Sequence, residues 1–240
     1  MEENMSVPGF GDNPAAYRNY VNRREFSVAD LKKIRPGLSE EPLVDVRIYD
    51  SSIAAVPRNK NAEGHDGDAL LVRDTVARKL AAVNRDLGDF QGLRLGVMSA
   101  YRPPNVQAEG FSRKKESLRQ EQPGISEDRL IEAAHLFVAY PPVAGHPTGG
   151  AVDVSLLRGN EKLDMGDSGG IPRPGEAVKI RTFSDGLTGE QLSNRLKLNV
   201  VMFLHGFIPF WGEWWHFSYG DREWAAFLGL PQAIYGEKAL

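Results

Sequence analysis

Residues 207–217 read Phe-Ile-Pro-Phe-Trp-Gly-Glu-Trp-Trp-His-Phe, which places an acid, Glu213, and a base, His216, inside one of the most aromatic stretches of the chain. A fold must bury these rings, and a charge buried with them is costly unless it is paired or bound to a metal. The segment therefore needs polar partners from elsewhere in the chain. On an ideal strand, positions three apart point to opposite faces. Glu213 and His216 can serve one site only if a bulge or turn intervenes, expected near Gly212. The alternative is that the two side chains simply hydrogen-bond each other beneath the tryptophans.

Two further segments carry suitable partners, His146-Pro-Thr-Gly-Gly-Ala-Val-Asp153 and Tyr101-Arg102-Pro103-Pro104. His146, Asp153 and His216 together make the ligand set of a catalytic zinc that keeps one coordination position open. In Ala-Val-Asp-Val-Ser-Leu at 151–156, a strand puts Val152, Val154 and Leu156 on one face and Ala151, Asp153 and Ser155 on the other. Asp153 then lies among small and polar neighbours, as a ligand in a cleft should. Gly149-Gly150 permits the tight reversal that would bring His146 back over Asp153. Glu213, three residues before His216, is placed to act as a general base, and Arg102, stiffened by two prolines, as a clamp for developing negative charge. Read alone, His146 and Asp153 could equally be a surface-loop histidine and a turn aspartate. His205 suits the end of a helix, where an imidazolium complements the dipole. His135 reads as a packed mid-helix residue and His65 as a solvated loop residue.

The rest of the chain alternates helical and strand patterns without a regular βαβ rhythm, which argues for an α+β fold: one compact domain with a central, mostly antiparallel sheet flanked by helices. Residues 1–25 read as a flexible polar arm and 26–240 as the domain. Residues 43–49 and 93–101 alternate as strands. Val72, Val76, Leu80, Val83 and Leu87 have helical spacing, with Gly88 as a stop. Residues 105–121 form a charged helix, and Ser126 caps a helix through Leu130, Ala134 and Phe137. Residues 50–69 and 159–176 are loops. Thr188 and Gln191 form a capping box, with Leu192, Leu196, Val200 and Phe203 on one face of the helix that follows. The net charge of −3 gives no basic face for nucleic acid. No apolar run approaches the ~18 residues of a membrane span. The absence of cysteine leaves His, Asp and Glu as the only strong metal ligands. The first ten residues lack the basic and apolar regions of a secretory signal, so the expected location is cytoplasmic, or periplasmic if a leader has been removed.

The segments Ser-Ala-Tyr-Arg-Pro at 99–103, His-x6-Asp at 146–153 and Glu-Trp-Trp-His-Phe at 213–217 resemble the D-alanyl-D-alanine dipeptidases, zinc peptidases related to D,D-carboxypeptidases. Asp164-Met-Gly166, Asn199-Val-Val-Met-x-x-His-Gly-Phe207 and Tyr219-Gly-Asp-Arg-x-Trp224 extend the likeness to roughly residues 40–228. The resemblance implies one zinc ion on His146, Asp153 and His216, Glu213 as catalytic base and Arg102 as transition-state stabiliser. It also implies hydrolysis of a small dipeptide of D-amino acids, D-Ala-D-Ala-like. Trimming of peptidoglycan peptides by a D,D-carboxypeptidase is the neighbouring reading. A zinc module without catalysis, as in the related Hedgehog signalling domain, would have no need of Glu213 and Arg102. Two positions depart from the family pattern. Ala144 stands where a serine helps hold the substrate carboxylate, and Gly170 where an aspartate receives the substrate ammonium.

Overall fold

A computed structural model describes residues 13–57, 69–89, 92–166 and 177–240. In chain order the elements are α1 (Pro14–Asn22), α2 (Val28–Lys33), β1 (Leu43–Asp45), β2 (Ala54–Ala55), β3 (Leu71–Arg73), α3 (Asp74–Asp89), β4 (Leu93–Ser99), α4 (Pro104–Glu121) and α5 (Glu127–His135). They continue with β5 (Ala151–Arg158), β6 (Glu161–Lys162), α6 (Ala177–Ile180), α7 (Gly189–Leu204), β7 (Ile208–Pro209), β8 (His216–Ser218) and α8 (Arg222–Phe227). The main sheet runs β2-β4-β5-β8-β7, with β6 beside β5; β2 joins in parallel and the other pairs are antiparallel. This is the expected α+β architecture.

Leu93, Leu95 and Val97 of β4 and Val152, Val154 and Leu156 of β5 point to one side of the sheet, and all are buried. Val76, Leu80, Val83 and Leu87 of α3 pack on them to make the main core. The helix begins at Asp74 rather than Val72, which belongs to β3, and it runs past Gly88 to Asp89. Alternation in β4 does not continue to residue 101. Val97 pairs with Val154 and Ser99 with Asp153, so two steps on β4 match one on β5. That one-residue excess is a β-bulge at Met98, and it re-aims the end of the strand.

Further expectations require correction. Residues 13–25 are not an arm: Asn13 caps α1 by accepting from the Ala16 amide at 3.1 Å, Pro14 opens the helix, and Tyr17 and Val21 are buried against Phe183. Residues 1–12 lie outside the described residues. Residues 43–49 are strand only as far as Asp45, after which residues 46–48 make a 3-10 turn. In α7 the buried residues are Asn194, Arg195, Leu198, Asn199, Val201, Met202 and Phe203, so of the four apolar residues that share a face by spacing only Phe203 is buried, while Leu192, Leu196 and Val200 are partly exposed. The reason is chemical. The Arg195 guanidinium donates to the carbonyls of Met165 (2.7 Å), Lys179 (2.6 Å) and Arg181 (2.5 Å), so a charged side chain anchors the helix from within. Leu192 and Leu196 pack instead against the cluster around α1. The Thr188–Gln191 capping box is present in both directions.

Candidate active site

Sheet register assembles the centre of the site. Asp153 is flanked by Ser99 of β4 on one side and His216 of β8 on the other. Residues far apart in sequence thus become lateral neighbours, with Cβ atoms about 4.5–5.5 Å apart in such pairs. Asp153 lies on the face opposite the core valines, as the alternation requires, and is 1% exposed.

His146 arrives from a 3-10 turn over His146–Thr148 that closes on Gly149, whose φ of +73° is left-handed. A side chain at 149 would be strained, and its Cβ would stand 2.4 Å from Leu43 Cδ2. The buried Arg73 holds this turn through a 2.6 Å hydrogen bond to the Thr148 carbonyl, and it also donates to the carbonyls of Glu41 and Gly236. His146 Nδ1 lies 2.6 Å from the Ala100 carbonyl oxygen. A carbonyl only accepts, so Nδ1 carries the proton and the Nε2 lone pair is free. That Nε2 lies 3.4 Å from Asp153 Oδ1, and His216 Nδ1 lies 3.1 Å from the same oxygen. One ligand atom from each of the three residues falls within 4.8 Å of the others, a donor set of two imidazoles and one carboxylate that could hold a metal ion.

Glu213 and His216 reach this centre through a turn, as expected, although it lies one step beyond Gly212. The His216 amide donates to the Glu213 carbonyl at 3.1 Å, and the intervening Trp214 and Trp215 go into the core. The Glu213 carboxylate accepts from the Trp215 indole at 3.1 Å. His216 presents its ring to Asp153. Arg102 follows the bulged end of β4. Its Nη1 donates to Gln107 Oε1 at 2.8 Å, while the Gln107 amide donates to the Ala139 carbonyl at 2.7 Å. One cavity is lined by Arg102, His146, Asp153, Glu213 and His216 together, so every predicted site residue faces the same space.

The electrostatics favour a cation here. Burial opposes charge on His216, but the hydrogen bond to Asp153 and the negative charges of Glu223, Asp153 and Glu213 outweigh it and hold its pKa up at about 9. Without a metal the ring takes a proton; a metal ion must displace it. Burial pushes His146 the other way and keeps it neutral. Glu223 and Asp221 are both raised by burial, which disfavours two adjacent carboxylates without water.

Two lining residues escaped the sequence reading, and a third was read only as packed. Gln107 sits in a helix that read only as charged, yet it is buried and braces Arg102. Glu223 occupies the open position of the Tyr219–Trp224 pattern. His135 is packed, as expected, but at the cavity wall, with Nδ1 accepting from the Tyr140 amide at 3.0 Å. His205 stays outside the centre, capping α7 with its Nε2 2.8 Å from Asp86, and His65 lies outside the described residues. Ala144 is buried just before the His146 turn and brings no hydroxyl. Gly170 lies outside the described residues. Of the two neighbouring acids that the sequence offers in place of the missing aspartate, Asp164 is engaged by Gln191 at 2.9 Å and by the Gly166 amide, and Asp167 lies outside the described residues.

Comparison with known proteins finds relatives among peptidases. A D-alanyl-D-alanine dipeptidase from Synechocystis sp. is 35% identical over 88 residues, 33% of this chain and 36% of the relative, so the alignment spans about a third of the length of that curated protein. Among solved structures, the vancomycin-resistance D,D-pentapeptidase VanY in complex with Zn(II) aligns with a TM-score of 0.41 at 17% identity, over 76% of this chain and 96% of that one. The LD-carboxypeptidase LdcB aligns with a TM-score of 0.43 at 19% identity, over 80% of this chain and 76% of that one. The family model described as D-ala-D-ala dipeptidase, peptidase family M15, matches residues 55–234, which contain the histidines, carboxylates and arginine assembled above, and the chain belongs to that family.

Proposed function

We propose that this chain is a zinc-dependent peptidase that hydrolyses the peptide bond of a small D-amino-acid dipeptide, D-Ala-D-Ala-like. The observation that carries this reading is the register Ser99–Asp153–His216, which brings the ligand trio, Glu213 and Arg102 to one cavity in a member of this family. The donor set fits zinc because His146 has its Nε2 lone pair free and Asp153 Oδ1 faces both imidazoles. Bound there, zinc would supply a Lewis acid for the scissile carbonyl and lower the pKa of a water.

The chain's own residues supply the rest. Glu213 takes the proton of the attacking water and returns it to the leaving amine. The Trp215 indole holds one carboxylate oxygen of Glu213 in a hydrogen bond. Arg102, braced by Gln107, donates to the oxyanion, where preorganised charge contributes most. The changes at Ala144 and Gly170 leave the hydrolytic groups in place while altering positions that the family uses for the two ends of the dipeptide.

The test is a panel of D,D-, L,D- and L,L-dipeptides, with and without N-acylation, assayed on zinc-loaded protein. Cleavage of free D,D-dipeptides is expected. Cleavage of N-blocked peptides alone would overturn the dipeptidase reading in favour of a D,D-carboxypeptidase.

A further inference from the structure

Glu223 has no part in the steps above, yet it lines the same cavity. It lies in the first turn of α8, which Asp221 caps by accepting from the Trp224 amide at 2.9 Å. It is 6% exposed, and its Oε2 is fully buried without a hydrogen-bond partner among the described residues. A carboxylate in that state is costly unless something compensates it. The nearest basic atom is His216 Nε2, 3.6 Å from Oε2, with Ser218 Oγ 3.4 Å from the same nitrogen.

The opposite ring nitrogen decides what this proximity means. His216 Nδ1 faces Asp153 Oδ1 at 3.1 Å and so belongs to the ligand trio. A neutral imidazole that gives its Nδ1 lone pair to a metal must carry its hydrogen on Nε2. That hydrogen points toward Glu223 and Ser218. We infer that Glu223 is a positioning residue for the metal ligand His216: its carboxylate accepts from Nε2–H, fixes the tautomer and angle of the ring, and strengthens Nδ1 as a donor. Acceptors placed this way behind metal-bound histidines commonly govern metal affinity about 10–100-fold. Ser218, from the same strand as His216, completes the acceptor side.

The inference rests on the reading that His146, Asp153 and His216 bind a metal, and the test separates the two. Zinc dissociation constants are measured by chelator competition on the full chain for the wild type, Glu223→Gln, Glu223→Leu and His216→Ala. Melting of each metal-free protein and the visible spectrum of each cobalt-substituted protein are recorded in parallel. The wild type should bind one zinc and His216→Ala should lose it. Glu223→Leu should raise the dissociation constant toward about 100-fold, and Glu223→Gln, which keeps the shape and an acceptor but not the charge, by about 10-fold. The cobalt bands should shift in both variants. If Leu at this site does not fold, the near-isosteric Gln variant carries the test. Unchanged zinc affinity and cobalt spectrum in the Gln variant, with only metal-free melting altered, would make Glu223 a merely structural acid and overturn the inference. Failure of the wild type to bind zinc would instead overturn the metal reading and the inference with it. Tight zinc binding without dipeptide hydrolysis would leave the inference standing and remove the substrate.

Discussion

At the scale of single residues, the site divides into groups that hold and groups that act. His146 is fixed before any ligand arrives, because the Ala100 carbonyl takes its Nδ1 hydrogen and leaves Nε2 facing Asp153. Glu213 is outside the trio, so its removal should spare the metal. Glu213→Ala is expected to keep zinc at wild-type stoichiometry while turnover falls about 10²–10⁴-fold, the usual contribution of a general base. His146→Ala should lose both. Zinc content by atomic absorption beside the dipeptide assay reads this, and near-full activity in Glu213→Ala would mean that another group takes the proton. The residue types that matter were readable in the chain because an acid and a histidine among tryptophans demand partners. Gln107 and Glu223 were not readable. A glutamine in a charged helix and a glutamate in a helical first turn are ordinary, and only contacts with Arg102 and His216 distinguish them.

At the scale of elements, local pattern succeeded where one face meets the core and failed where polar groups go inward. The alternations of β4 and β5 and the spacing of α3 led directly to buried faces. In α7 three of the four apolar residues that periodicity selects, Leu192, Leu196 and Val200, stay partly exposed, because Arg195 anchors the helix through loop carbonyls that no hydropathy pattern records. The α1 helix carried a signal that composition hid, with Asn13 as cap and Pro14 at the first position. The turn that delivers His146 depends on Gly149. Gly149→Ala should cost about 1–2 kcal/mol for the left-handed backbone and displace Leu43, which its Cβ would meet at 2.4 Å. Urea denaturation of the metal-free protein measures the cost. A variant as stable as wild type would show that the turn relaxes into another conformation.

At the scale of the whole molecule, the buried acids around His216 couple stability to pH and metal. His216 is raised from its ordinary value of 6.5 to about 9, so the folded protein holds a proton that the unfolded chain has released. This contribution is fully present below about pH 6.5 and is lost as pH rises through about 9, in total about 3 kcal/mol. Glu223, raised by burial, acts in the same direction at lower pH, since its folded form also binds the extra proton. Metal-free protein should therefore melt at progressively lower temperature between pH 6.5 and 9. Zinc-loaded protein should hold its melting temperature, because the metal takes the place of the proton. Scanning calorimetry across this range reads both curves, and a metal-free curve that rises with pH would contradict the balance of charges described here.

The sequence by itself brought forward the residues that share the cavity, His146, Asp153, His216, Glu213 and Arg102, together with the strand faces and the α+β class, because these rest on residue type and on periodicities of a few residues. Tertiary structure alone decided the rest. The bulge at Met98 and the register that sets Asp153 between Ser99 and His216 join segments about 50–60 residues apart, and register is a property of paired strands rather than of either strand. The brace behind Arg102, the carboxylate behind His216 and the inward face of α7 have the same origin. Each is a polar group satisfied by a partner distant in sequence, and burial gives such a pair its energetic weight only once the chain has folded.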